Sequence, residues 1–254
     1  MKKIKNLNIK NLVVQFDDLT VLDNINLTIN QGEFICILGS SGCGKTTLLN
    51  VMAGFINPTS GQVCYENRII KKPTSEICTI YQEHALFPWM TIYENIESGL
   101  KFSKVNISKR KSIIKKFLHD FDLKGYGEYY PHEISHGMRQ RVAICRSLAV
   151  NPAMILMDEP FSSLDPVTKL KLQKYILNVW KKTNKTIVFV THDIDEAIFL
   201  SDKIFVLTKK PSTIKKEIIN PLQRPRRDSV IISGEYIKFK QFLLKLINKI
   251  NSDE

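Results

Sequence analysis

The chain lacks the apolar run of about 18 to 20 residues that a membrane span requires, although 43% of its 254 residues are hydrophobic. A membrane-spanning role for the chain itself is therefore not expected. Met1 to Asn6 also lead into no apolar stretch resembling a signal peptide. The five cysteines, Cys36, Cys43, Cys64, Cys78 and Cys145, form no C-x-x-C pair and read as reduced packing residues, not a metal cluster. Internal repeats, low-complexity tracts and sustained heptads are missing, which argues against long coiled-coil insertions. Arginine is scarce: lysine outnumbers it by more than three to one within a net charge of +12. The basic excess thus lacks the bidentate groups suited to phosphates and bases, so no nucleic-acid partner is expected.

The densest basic stretch, Lys101 to Lys116, also carries Ile107, and Ile113, Ile114, Phe117, Leu118 and Phe121 repeat at helical spacing. An amphipathic helix with a solvated lysine face explains this pattern; an anionic lipid surface or an acidic partner is the other reading.

What is present is more specific. Residues 39 to 46 read Gly-Ser-Ser-Gly-Cys-Gly-Lys-Thr, a G-x-x-x-x-G-K-[ST] loop. The apolar run Phe34–Leu38 precedes it as a predicted buried strand, and Thr47 to Ala53 follow with helical character. Gly39, Gly42 and Gly44 are expected to adopt conformations closed to other residues, so that amide N–H groups of Ser40, Ser41 and Cys43 onward turn toward a phosphate chain. Lys45 would reach the β and γ phosphates, and the Thr46 hydroxyl would ligate Mg2+, with Thr47 beside it.

A second element is Met154-Ile155-Leu156-Met157-Asp158-Glu159-Pro160, two acids at the carboxyl end of a predicted strand. Asp158 is expected to hold Mg2+ and Glu159 to act as general base toward the attacking water. Further strands are expected around Val63 to Tyr65, Ile77 to Ile80 and Ile187 to Val190, with a helix over 166–182 and a last strand over Lys203 to Leu207. The segment from there through Arg227 is Pro-containing and basic. The texture from about 85 to 150 is helical, and Glu235 to Ile250 place Phe239, Leu243, Leu246, Ile247 and Ile250 on one helical face.

With these motifs the chain resembles the ATP-binding subunit of an ABC transporter over nearly its whole length. Gln82 in Tyr81-Gln82-Glu83-His84 resembles the family's Q-loop, Ser163-Leu164-Asp165 its D-loop, and His192 its switch histidine. Ile134 to Arg141 resemble its signature. The resemblance implies an α/β fold: a P-loop NTPase core with an antiparallel β subdomain and an inserted α-helical subdomain. It places a RecA-like core at about 1–84 and 151–220, the helical subdomain at about 85–150 and a C-terminal helical extension at about 221–254. It further implies that Gln82 contributes to Mg2+ and catalysis, that Phe16 stacks on adenine, and that Ser135 and Gly137 face the γ phosphate across a head-to-tail dimer of two copies. Transmembrane permease subunits and, indirectly, an extracytoplasmic substrate-binding protein are the implied partners, at the cytoplasmic face of the membrane. The segments 82–89 and 191–202 are most similar to importers of nitrate, sulfonates and taurine, with pyrimidine vitamin precursors carried by relatives. A non-transport ABC ATPase with a regulatory or nucleic-acid role is the alternative.

Two residues depart from the pattern or confuse it. His136 stands where the family's signature has its first glycine, adding bulk where nucleotide approaches. It also completes His132-Glu133-Ile134-Ser135-His136, which matches the zinc-hydrolase motif H-E-x-x-H. That motif needs both histidines on one continuous helix, and Pro131 and Gly137 argue against one. His84 and His119 offer no ligand set. Leu86, Phe87, Trp89 and Met90 form an apolar cluster, read either as a groove for a permease helix or as the subdomain's own core.

Overall fold

The computed structural model describes residues 6–81, 86–162 and 164–252. Two compact units divide the chain, Met1–Thr74 with Trp180–Glu254, and Ser75–Val179.

In the first unit, alternation of apolar and polar residues makes β1 (Leu7–Phe16) and β2 (Leu19–Ile29) a half-buried hairpin. They pair antiparallel, and β1 pairs on its other side with β4 (Ser60–Tyr65), which carries the short β5 (Arg68–Ile69). A second sheet starts from β3 (Phe34–Leu38), whose five residues are all buried, as the unbroken apolar run requires. It lies between β8 (Thr186–Thr191) and β9 (Lys203–Leu207), parallel to both, while β10 (Ile214–Ile219) runs antiparallel to β9. Strand β10 falls in the Pro-containing, basic segment beyond what reads from the sequence as the last strand. Its three central residues, Lys215, Lys216 and Glu217, are exposed, so it has the charged look of an edge strand and little apolar alternation.

Helices α1 (Lys45–Ala53), α6 (Ile194–Leu200) and α7 (Gly234–Ser252) complete the unit. Helix α7 buries Tyr236, Phe239, Leu243 and Ile250, with Leu246 and Ile247 half-buried on the same side. Asp195 of α6 ties it down, accepting from the Tyr236 hydroxyl at 2.7 Å and from Lys240 Nζ at 2.7 Å. Burial first, and then Asp195, push the Tyr236 phenol well above its usual range. The buried Arg226 donates to the carbonyls of Phe199 and Ser201, spending a charged side chain on the last turn of α6.

The second unit contains the parallel pair β6 (Ile77–Ile80) and β7 (Met154–Asp158) with helices α2 (Ile92–Phe102), α3 (Ile107–Asp120) and α4 (His136–Ala149). It also holds most of α5 (Pro166–Thr183), whose last turn belongs to the first unit. A capping box starts α2: Thr91 accepts from the Glu94 amide while Glu94 accepts from that of Thr91. Gly99 lets α2 approach α4, since a Cβ there would stand 2.7 Å from the Arg146 carbonyl oxygen. The dense basic stretch is split between the end of α2 and α3, where Ile114 and, just beyond, Phe121 are buried. No described helix is long and apolar enough to cross a membrane.

Candidate functional site

The expected site residues fall in both units, and each group is built within its own. In the first unit, parallel pairing sets Leu38 of β3 beside Thr191 of β8. The two strands end at the same level, so Gly39 and His192 leave the sheet side by side at its carboxyl edge, where ligands of parallel sheets bind. The buried Cys36 thiol of β3 is pushed up by its burial, then by the charges of Glu196 and Asp193, and pulled down by that of Lys45. His192 is exposed, and its neighbours are fixed. Thr191 Oγ1 accepts from the Asp193 amide at 3.0 Å, and Asp193 caps α6 by accepting from Asp195 N at 2.8 Å.

The loop itself closes on its lysine. Lys45 is buried, and its ammonium donates to the carbonyls of Gly39 and Ser40 at 3.0 and 2.9 Å. Gly42 and Gly44 have φ of 76° and 103°, the left-handed region expected of them. Gly39 does not share it. Glycine is needed there for space, because a Cβ would lie 2.7 Å from the Cys43 sulfur. Around Gly42 a Cβ would meet nothing within 4 Å, leaving the loop open on that side. Ser41, Gly42 and Thr46 are exposed, Ser40 and Thr47 half-buried, and Cys43 buried. Helix α1 starts from Gly44, which has no side chain to cap it, and no acid occupies its first turn. A positive helix end, a lysine and an open glycine backbone suit a phosphate chain.

Phe16 ends β1 and is 46% exposed, so it does not serve as a core residue of its strand. It pairs with Leu19 of β2, and β2 in turn packs on the loop: a Cβ on Gly44 would meet Leu22 at 3.0 Å and Val21 at 3.1 Å.

Sequence reasoning missed Ser212. It is fully buried, its amide donates to Val21 O at 3.0 Å, and its carbonyl accepts from the Asp23 amide at 2.9 Å. Its hydroxyl lies against the carbonyl oxygens of Cys43 and Thr208. One serine thus joins β2 to the phosphate loop, and nothing local in Lys-Lys-Pro-Ser-Thr signals it. Ser212→Ala should lower stability by about 1–2 kcal/mol and raise the KM for ATP with kcat little changed. Unchanged melting and KM together would remove Ser212 from the loop's support.

In the second unit, the pairing of Ile80 with Met157 brings Tyr81 alongside Asp158 at the ends of β6 and β7. Gln82 lies outside the described residues, as do His84 and Ser163. Asp158 is only 6% exposed, and its charge contributes to raising the Tyr81 phenol, behind burial as the main cause. Glu159 follows in a left-handed conformation, φ 45°, rare for a residue with a side chain and found where surrounding structure imposes it. Its carbonyl accepts from the Ser162 amide and hydroxyl, at 3.3 and 3.0 Å, holding the turn. The Thr46 hydroxyl and Asp158 carboxylate are hard oxygen donors, the chemistry that Mg2+ takes.

Ser135 is the N-cap of α4, accepting from Met138 N at 3.3 Å, and His136 is its first residue, exposed. A Cβ on Gly137 would approach Leu164 to 3.1 Å, so the start of α4 and the segment before Asp165 touch. Asp165 is exposed and caps α5, accepting from Val167 N and Thr168 N; the Thr168 bonds are the main cause of its lowered pKa. His132 sits in a one-turn 3-10 helix, Pro131–Glu133, and stacks on Tyr130 at 5.8 Å. Extended Ile134 and Ser135 separate it from α4, so His132 and His136 do not share the continuous helix that H-E-x-x-H zinc binding needs.

Of the apolar cluster, Phe87 and Trp89 are exposed, while Leu86 and Met90 are half-buried. Trp89 is 70% exposed and packs on Phe87 at 5.6 Å, and the Arg146 guanidinium lies 5.2 Å from the Phe87 ring. Asn95, fully buried, holds this loop: its Oδ1 accepts from Phe87 N at 2.9 Å, and its Nδ2 faces the carbonyls of Phe87, Met90 and Thr91. Trp89 is therefore not part of the unit's core.

Known proteins are similar to this chain over most of its length. The bicarbonate transport ATP-binding protein CmpD of Synechocystis sp. is 40% identical over 92% of this chain and 85% of its own length. The aliphatic sulfonates import ATP-binding protein SsuB of Bacillus thuringiensis is 43% identical over 84% of this chain and 83% of its own. Among solved structures, a dimeric ATP-binding cassette in a post-hydrolysis state, bound to ADP and Pi, matches 85% of this chain and all of its own length with a TM-score of 0.77 and 30% identity. The family model for ABC transporters matches residues 22–162, and the chain belongs to that family.

Proposed function

We propose that this chain is the ATP-hydrolysing subunit of a membrane importer for a small anion or precursor. The observation that carries the ATPase reading is the phosphate loop, with Lys45 held on its carbonyls and Gly42 open to a ligand. Relatives named for bicarbonate and sulfonate transport support the anion class; nitrate and taurine are further candidates, and a pyrimidine vitamin precursor is the candidate outside that class.

In this reading the amides from Ser40 to Thr47 and Lys45 bind the phosphates, and the exposed Phe16 ring stacks on adenine. Thr46, Asp158 and Gln82 would hold Mg2+, which when bound neutralises phosphate charge and orients the phosphates. Glu159 accepts a proton from the attacking water, and His192 donates to the γ phosphate. Ser135 and Gly137 complete the site of a second copy, so the working unit is a head-to-tail dimer at the cytoplasmic face of the membrane. The dimeric cassette of the structural relative supports that assembly. Exposed His136 is accommodated at the start of α4 in this arrangement.

Trp89 would dock on the permease. Purification from membranes should recover a permease, and an extracytoplasmic binding protein loaded with the cognate anion should stimulate ATP hydrolysis by the complex. Trp89→Ala should abolish that stimulation while sparing hydrolysis by the isolated subunit. Normal transport by the variant would end the coupling role. Failure to recover any membrane partner would favour a non-transport regulator.

A further inference from the structure

The corner between α2 and α3 combines two features that the ATPase function does not use. Phe102, the last residue of α2, and Ile107, the first of α3, are each 68% exposed. Residues 101–119 around them carry six lysines and one arginine and no acid. Lys101 and Arg110 pair with Glu97, at 2.7 and 3.6 Å. Lys104, Lys109, Lys111, Lys115 and Lys116 are exposed and make no ion pair among the described residues. Ile107 and Lys111 lie one helical turn apart, so hydrocarbon and charge share a face.

The corner is also held in shape. Ser103 Oγ donates to Val150 O at 3.0 Å, Val105 N to Leu100 O at 3.0 Å and Arg110 Nε to Val105 O at 2.7 Å. Two large apolar groups displayed at a fixed turn cost little further ordering when they leave water.

We infer that this corner touches an anionic lipid surface, Phe102 and Ile107 entering the headgroup layer while the lysines lie over its negative charge. Lysine suits this role: its ammonium is a hydrated point charge that gains from a diffuse anionic layer without bidentate geometry. A protein groove would need an apolar patch broader than two side chains.

The test is co-sedimentation of the full chain with vesicles of phosphatidylcholine alone or with phosphatidylglycerol. Binding should require phosphatidylglycerol and weaken as salt shortens the screening length. K104E/K109E/K111E and, separately, F102S/I107S should each lower partitioning by about tenfold or more, with ATP hydrolysis in solution unchanged as the control for folding. Wild-type chain that ignores phosphatidylglycerol vesicles would overturn the inference. So would binding that both variants retain, which would assign it to other basic surfaces, or corner contacts that crosslink only to a permease.

Discussion

Glu159→Gln should leave ATP binding intact and lower steady-state turnover by about 100- to 10,000-fold, the range that general-base catalysis supplies. The substitution preserves shape and hydrogen-bonding length and removes the group able to accept the proton of water. It also leaves the backbone demand unchanged, because Gln meets the same left-handed conformation at φ 45°. With hydrolysis stopped and binding preserved, the variant should accumulate as an ATP-bound dimer, measurable by sedimentation velocity with and without ATP. Turnover at the full rate would show that another group takes the proton.

Lys45→Ala should instead act on binding. A charged hydrogen bond is worth about 1.5–3 kcal/mol, so losing the ammonium should weaken ATP affinity by about 10- to 150-fold, with hydrolysis falling further. The loop loses its two carbonyl contacts as well, at Gly39 and Ser40. Helix α1 should survive, because Leu48, Leu49, Val51 and Met52 anchor it in the core. The pair of variants thus separates two failures: bound but unreactive ATP for Glu159→Gln, and unbound ATP for Lys45→Ala. Nucleotide titration by fluorescence, with circular dichroism to verify folding, distinguishes them; unaltered affinity after Lys45→Ala would contradict the loop's assigned role.

Much of this was legible because the signals are local. The run Phe34–Leu38 followed by a glycine-rich loop fixes strand, turn and helix within twenty residues, and the all-buried β7 announces itself by Met154 to Met157 in the same way. What escaped depends on distant neighbours. Strand β10 is an edge, so its lysines carry no apolar alternation to read. Ser212 matters only because β2 and the phosphate loop converge on it from far earlier in the chain. The glycine at 39 was readable as a requirement, but its cause, the Cys43 sulfur, is a packing contact and not a dihedral one. Trp89 posed the opposite problem: an apolar cluster reads alike whether it faces inward or outward, and only the fold reveals its exposure.

The buried amide of Asn95 gives that exposure a further meaning. A tryptophan on a slack loop would surrender its freedom at the moment of docking and weaken the contact by that loss. Here the loop from Phe87 to Thr91 is already committed through one side chain of the following helix. If Trp89 docks as proposed, that ordering is already settled in the fold, and a push on its ring would reach α2 through Asn95.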